Sequence, residues 1–213
     1  MRFDAAGEHS AAITHNAQMK GIYGILIFLA AFFCSCNKTE DYVTAQQTAI
    51  ERYLAGRKIY NRASAPENET GETMQYYDIQ NGVYKYTENE YRTTRPPESE
   101  AAAKGDSITF YFRAYTFSSR IEALFYTNVE EEILALGSHL NAKYWSTEPL
   151  TVKIGAGSVI KGLDNALPSC RTGDTVQVFI PTDLGYGDKS AGVVPANTAL
   201  MYLINIQNIT KNR

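Results

Sequence analysis

The sequence predicts an α+β fold in which several strands are preceded by a helix. The stretch from Ser107 to Phe117 alternates apolar and polar side chains, the pattern of a half-buried strand. Two shorter alternating segments, Leu150–Gly155 and Thr175–Ile180, flank a tight segment at Gly157–Leu167. Between Glu40 and Arg62, by contrast, apolar residues recur every three or four positions, which is the spacing of one helix face.

Composition excludes several classes of function. The chain has 213 residues, a formal net charge of -3 and 44% hydrophobic residues, which fits one ordinary globular domain with an appendage. It has no basic footprint, so nucleic acid is not an expected partner. His9, His15 and His139 are scattered, and we expect neither a metal site nor a cofactor. Cys170 is the only cysteine outside the N-terminal region, which excludes a disulfide framework.

The N-terminal region has the pattern of a targeting segment. Residues 1–18 are polar and aperiodic, and they precede a second methionine, so we expect translation to begin at Met19. Residues 19–35 combine a lysine with a short apolar core and are predicted to form a lipoprotein signal peptide. The apolar run is shorter than the roughly 18 to 20 residues of a membrane-spanning helix.

The end of this segment resembles a bacterial lipobox. Ser35 precedes Cys36, the cysteine predicted to be acylated, although Phe33 stands where the pattern prefers leucine. The resemblance implies a lipid-anchored lipoprotein of the cell envelope, of a bacterial, Bacteroidetes-like kind, in the outer membrane and facing either periplasm or medium. Ordinary cleavage and secretion is the alternative.

Residues 36–75 are predicted to form a helical stalk and a linker. The helix begins near Glu40, and Ala63–Glu72 is polar and rich in helix breakers, as linkers are. The apolar stripe of the helix needs a partner. It either packs on the outside of the following domain or belongs to a spacer that holds the domain away from the membrane.

The main domain is predicted to cover residues 76–213. Two short alternating runs on either side of Asn81-Gly82 indicate a β-hairpin near its start. Residues 92–104 contain Pro96-Pro97, which opposes regular strand pairing and favours a surface loop.

An additional helix is predicted near residues 128–137. Asn128 is placed to cap it, three glutamates follow in the first turn, and Gly137 ends it. The helix spans Val129–Leu136 and serves either as a lid beside a pocket or as decoration of the sheet edge.

Three short motifs occur in a specific order in the last third of the chain. They are Val159-Ile160-Lys161-Gly162, then Pro181 followed by Tyr186-Gly187, then Val193-Val194-Pro195-Ala196. This order resembles FKBP-type peptidyl-prolyl cis-trans isomerase domains. The resemblance implies an antiparallel half-barrel sheet wrapped around one short helix near Lys161–Leu167.

The resemblance also implies a proline-binding pocket. Ile160 would lend its backbone N–H to a substrate carbonyl, the Tyr186 hydroxyl would make a second hydrogen bond, and Phe125 would complete the catalytic group. The remaining walls would come from seven substrate-binding side chains: Phe112, Tyr126, Leu150, Val159, Leu163, Val194 and Tyr202.

Four positions depart from the family pattern. Leu163 replaces the usual tryptophan of the pocket floor, Phe112 a tyrosine, Tyr126 an aspartate and Ala196 a second proline. The predicted function is isomerisation of X-Pro bonds in proline-containing, unfolded or extended exported polypeptides, at a reduced rate or with altered preference. The alternative is a catalytically weak or inactive chaperone or peptide-binding lipoprotein. The sequence does not indicate which oligomeric state the protein has.

Overall fold

The computed structural model describes residues 40–65, 74–88, 90, 100–137 and 145–212. The chain divides into two compact units, Met1–Asp41 and Tyr42–Arg213. The predicted start at Met19, the signal peptide and Cys36 lie outside the described residues, as does most of the predicted linker. Among the residues that are described, no helix is both long enough and apolar enough to cross a membrane.

Helix α1 covers residues 40–56 and is followed by strands and short helices. In chain order these are β1 (Ile59–Asn61), a 3-10 turn (Arg62–Ser64), β2 (Gln75–Gln80), β3 (Val83–Thr87), β4 (Ser107–Phe117), β5 (Ile121–Thr127), α2 (Glu130–Leu136), β6 (Leu150–Lys153), α3 (Lys161–Ala166), β7 (Thr175–Ile180), a second 3-10 turn (Thr182–Leu184) and β8 (Ala199–Thr210).

In the described part of the chain, these strands form one eight-stranded sheet in the order β1-β2-β3-β7-β8-β4-β5, with β6 paired beside β4. Strand β4 pairs with three other strands: with β8 along its whole length, and with β5 and β6 on its other edge. The predicted α+β fold is confirmed, and one parallel pair, β1 with β2, was not predicted.

The predicted hairpin and the predicted half-buried strand from Ser107 to Phe117 are both present. Strands β2 and β3 pair antiparallel around Asn81 and Gly82, whose φ angles of 48° and 84° are the left-handed values of a tight hairpin turn. Along β4, alternate side chains are buried from Ile108 to Ala114. These residues lie on the face of the sheet that holds the main hydrophobic core.

Helix α3 packs on the face of the sheet that holds the main core. Leu163 and Ala166 belong to the same core cluster as Val178 and Ile180 of β7. Gly162 allows this close approach, because a Cβ built there would lie only 2.2 Å from Cγ2 of Ile180. The short helix therefore rests directly against the Ile180 side chain of β7, which fixes the height of Ile160 and Leu163 above the sheet.

Helix α1 packs on the opposite, outer face. Ile50 and Leu54 have no exposed surface and lie in a second core cluster with Phe117, Phe179 and Met201. The sheet also begins earlier than the predicted domain start near Tyr76, because β1 pairs with β2. Within the unit that starts at Tyr42, the helix is therefore part of the folded domain and not a free stalk.

Helix α2 forms near the predicted residues, but its predicted cap is wrong. The residue at the N-cap position is Val129, and no side chain caps the helix there. Asn128 instead uses its buried amide elsewhere: it accepts from the Phe112 N–H at 2.7 Å and donates to the carbonyls of Phe110 and Glu148. Three hydrogen bonds to backbone groups hold this buried amide more firmly than one capping hydrogen bond at an exposed helix end would.

Candidate functional site

A cavity of about 430 Å³ opens above the start of helix α3. It is bounded by β4 and β8 below, by the segment before α3 on one side and by the loop after β7 on the other. Eight residues that the sequence analysis placed in the pocket line it: Phe112, Tyr126, Leu150, Val159, Ile160, Leu163, Tyr186 and Tyr202. The roles assigned to these residues stay predictions.

Aromatic rings make the walls of the cavity. Phe112 of β4 packs against Tyr202 of β8 and against Tyr126 of β5, with centroid distances of 6.0 and 5.3 Å. Leu163 is 3% exposed and lies at the floor. Because the walls are mostly hydrocarbon, a group that enters the cavity loses contact with water.

Phe125 lies beside the cavity and is not one of its lining residues. Its ring meets those of Tyr186 and Tyr202 edge to face, at centroid distances of 6.4 and 6.2 Å. It therefore supports two rings that do line the cavity. Such edge-to-face contacts stabilise ring orientation as well as adding buried area.

Val194, by contrast, lies away from the cavity lining. It is 1% exposed and belongs to the main core cluster, and a short bridge joins its backbone to Ala191. Its neighbour Val193 is 78% exposed. Val193 and Val194 are adjacent and chemically identical, so the sequence alone does not show which of them is buried. The tight turn from Ala191 to Val194 turns Val194 inward.

The loop that carries Tyr186 is held by its own backbone. It begins with the 3-10 turn at Thr182–Leu184, where the Thr182 carbonyl accepts from the Gly185 N–H at 3.0 Å and from the Gly187 N–H at 2.8 Å. Gly187 adopts a φ of 65°, which turns the chain back after Tyr186. Tyr186 is partly buried and forms part of the cavity lining.

Tyr186 and Tyr202 are neighbours in the cavity wall. Burial raises the pKa of Tyr202 well above its ordinary value, and the neighbouring Tyr186 hydroxyl raises it further. Tyr202 therefore stays protonated at physiological pH. A phenol hydroxyl donates one hydrogen bond and accepts others, so the pair can still offer a donor to the cavity.

Gly157 and Ser158 also line the cavity, and the sequence analysis gave them no role. Their segment is held by Asp164 of α3, whose carboxylate accepts from the Gly155 N–H at 2.7 Å and from the Gly157 N–H at 3.3 Å. Two glycines followed by an acidic residue in the next helix were the signal for this loop.

Trp145 was also missed. Its ring lies 5.4 Å from that of Tyr126, edge to face, and extends the aromatic surface outward from the cavity. Nothing in the local sequence pattern around Trp145 points to this contact. Helix α2, predicted as either a lid or decoration of the sheet edge, contributes no side chain to the lining within the described residues, and its Glu132 pairs with Arg113 of β4 at 2.7 Å.

Comparisons with known proteins agree with this geometry. Residues 98–207 match the family described as FKBP-type peptidyl-prolyl cis-trans isomerase. FK506-binding protein 2 of Aspergillus fumigatus is 32% identical over 112 residues, which cover 51% of this chain and 71% of that protein. FK506-binding protein 1 of Aspergillus oryzae is 43% identical over 61 residues, 29% of this chain and 53% of that protein.

The crystal structure of the three FKBP domains of wheat FKBP73 has a TM-score of 0.50 with this chain. The two are 18% identical, and the match covers 66% of this chain and 52% of the wheat chain, so this likeness concerns the fold alone. The family match over residues 98–207 includes the cavity-lining residues of β4, β5, α3 and β8. The chain belongs to the FKBP-type peptidyl-prolyl cis-trans isomerases, a family of enzymes.

Proposed function

We propose that this chain catalyses cis-trans isomerisation of X-Pro bonds in exported, unfolded or extended polypeptides. The observation that carries the proposal is the open aromatic cavity with Tyr186 in its wall. A proline ring is compact and apolar, and a cavity of about 430 Å³ accommodates it together with its flanking backbone.

The chemistry needs no nucleophile. Rotation about the amide bond is opposed by a barrier of about 18 to 20 kcal/mol that comes from its partial double-bond character. The twisted amide of the transition state is less conjugated and less polar than the planar one, so a dry site favours it. The rings of Phe112 and Tyr202 and the floor at Leu163 provide such a site.

In this proposal, two groups orient the substrate. Ile160 immediately precedes helix α3, where the first backbone N–H groups of a helix have no partner within it. In the proposed complex this N–H donates to a substrate carbonyl. The Tyr186 hydroxyl, which belongs to the cavity wall, donates to a second carbonyl in the same complex.

A chymotrypsin-coupled assay on proline tetrapeptides tests the proposal. We expect wild type to accelerate isomerisation, and Tyr186→Phe to lower kcat/KM about fivefold, the effect of one ordinary hydrogen bond. Phe125→Ala is expected to cost about tenfold, because it removes the support of two cavity rings. Tyr42→Phe is the matched control, since Tyr42 is 49% exposed and lies on α1.

A catalytically weak peptide-binding or chaperone module is the second candidate. It is favoured by Leu163 at the floor, which offers less contact area than an indole, and by Tyr126, which is 41% exposed at the cavity and brings no carboxylate. If wild type gives no acceleration but still suppresses aggregation of an unfolded client, this candidate replaces the enzyme.

We also propose that Cys36 is acylated and that the protein is anchored in the cell envelope, the outer membrane of a bacterium. The support is the sequence alone: a short apolar run followed by Ser35 and Cys36. Radioactive palmitate should label wild type and the Cys34→Ala variant but not Cys36→Ala. Absence of label from wild type would remove the anchor.

A further inference from the structure

The two ends of the loop that carries Tyr186 are joined by hydrogen bonds to one backbone carbonyl, that of Gly187. Asn197, near its end, donates its N–H to the Gly187 carbonyl at 2.8 Å, and the Thr182 hydroxyl donates to the same carbonyl at 3.0 Å. Asn197 adopts a left-handed φ of 55°, a conformation that asparagine tolerates better than most residues. Gly187, the residue after Tyr186, thus links the two ends of the loop.

A side chain from the other end of the chain joins these same two ends. Gln46 of α1 accepts from the Thr182 N–H through Oε1 at 2.8 Å and donates from Nε2 to the Asn197 carbonyl at 2.8 Å. Thr182 has no exposed surface, so its N–H has no access to bulk water as a substitute partner. One amide from the outer helix therefore satisfies both the entry and the exit of the loop.

The contact requires a donor and an acceptor on one side chain of this length. A glutamine amide has both, a glutamate carboxylate offers only acceptors, and methionine has nearly the same shape with neither. Gln46 is partly buried and lies outside the cavity lining. Its effect on a substrate can only pass through the loop.

We propose that Gln46 is a positioning residue for the isomerase reaction: from the outer helix it holds the loop in the conformation that keeps the Tyr186 hydroxyl at the cavity. The catalytic effect inferred for Gln46 rests on the proposed function. The hydrogen-bond network from Gln46 through Thr182 and Gly187 supplies the physical connection.

The first test compares Gln46→Met with Gln47→Met, the same chemical change one position along the helix, in the full chain. We expect Gln46→Met to lower kcat/KM on proline tetrapeptides about fivefold, mainly through kcat, and Gln47→Met to leave it unchanged. Gln46→Glu keeps the acceptor for Thr182 and loses the donor to Asn197, so its activity should lie between wild type and Gln46→Met.

A double-mutant cycle separates positioning from general loss of stability. If Gln46 acts through Tyr186, the effect of Gln46→Met should fall to less than twofold in a Tyr186→Phe background. A merely structural role would give independent effects that multiply, about 25-fold for the pair. Equal activity of Gln46→Met and Gln47→Met, or multiplying effects in the cycle, would overturn the proposal.

Amide hydrogen exchange gives a readout that does not depend on activity. The amides of Thr182, Gly187 and Asn197 should exchange at least about fivefold faster in Gln46→Met than in Gln47→Met, while amides in the middle of β8 stay protected. If wild type proves inactive, the proposed function fails. The exchange rates alone then show whether Gln46 holds the loop. Unchanged exchange at all three amides refutes it.

Discussion

At the scale of single residues, buried polar groups connect parts of the chain that are far apart in sequence. Asp106 is 4% exposed and accepts from the Ala103 N–H at 2.8 Å, from the Lys211 ammonium at 2.8 Å and from the Asn212 N–H at 3.0 Å. It thereby fastens the end of β8 to the loop before β4.

Stability should therefore depend on pH in acid. The hydrogen bond from Lys211 and those from the two backbone amides lower the pKa of Asp106 from 3.8 to about 2. Since the folded-state pKa lies below the unfolded value, the stabilisation is fully present above about pH 4 and is lost as the pH falls towards 2. Urea unfolding between pH 5 and pH 2 measures it.

Asp106→Asn is the informative variant. It should be less stable than wild type at neutral pH, and the difference should shrink as the pH falls from about 4 to 2. The same substitution at the exposed Asp183 serves as control and should keep the pH dependence of wild type. A wild-type curve parallel to that of Asp106→Asn would contradict the role given to this carboxylate.

Single residues also show where sequence reasoning ends. Ile160, Leu163 and Tyr186, which the motif order assigned to one pocket, line one cavity because the helix and the loop that carry them flank the same strand, β7. Asn128 has the appearance of a helix cap, but its amide reaches backbone groups of β4 that are close only after folding. Contacts between distant segments leave no local pattern to read.

At the scale of elements, the contact between α3 and β7 sets the geometry of the cavity floor. Helix α3 has only six residues, too few to be stable alone, so its position comes from packing. The sequence predicted the helix from its motif, but not how closely it lies on the sheet. That closeness depends on the absence of a side chain at Gly162.

Gly162→Ala should therefore destabilise the domain despite the better helix propensity of alanine. A Cβ at this position would lie 2.2 Å from Ile180 Cγ2 and 3.1 Å from the Leu184 carbonyl oxygen. Overpacking of this kind costs about 1 to 3 kcal/mol, and here it exceeds the roughly 1 kcal/mol gained in propensity. Urea unfolding gives the free energy, and the tetrapeptide assay shows whether the shifted helix weakens catalysis.

Gly56→Ala is the matched control, because Gly56 lies in α1 and a Cβ there meets no atom within 4 Å. It should stabilise the chain by about 0.5 to 1 kcal/mol through the unfolded state. If both glycine variants shift the midpoint in the same direction, α3 has room to move and the cavity floor is not fixed by this contact.

At the scale of the whole molecule, the sheet is covered on both faces, by α3 on one and by α1 on the other. The family pattern accounts for the first face and predicted it. The second could not be assigned from sequence, since an amphipathic helix has the same spacing whether it covers a sheet or stands apart as a spacer. Helix α1 is buried because the outward-facing residues of β4, β7 and β8 are apolar. Alternation along these strands shows that they have a second face, but not that a helix covers it.

The fragment 76–213, which matches the domain boundary predicted from sequence, should therefore be much less stable than the fragment 40–213. The shorter fragment lacks both α1 and β1. With α1 it loses Ile50 and Leu54, two fully buried side chains worth about 1.5 to 3 kcal/mol each, and Phe179 and Met201 become uncovered. The loss of at least about 3 kcal/mol is a large part of the roughly 5 to 15 kcal/mol that holds a typical domain together. Urea unfolding should show an earlier midpoint, and a hydrophobic dye should bind the shorter fragment because its outer face is open. Equal midpoints and no dye binding would mean that both α1 and β1 are dispensable, and the sheet would then have to be stable with one bare apolar face.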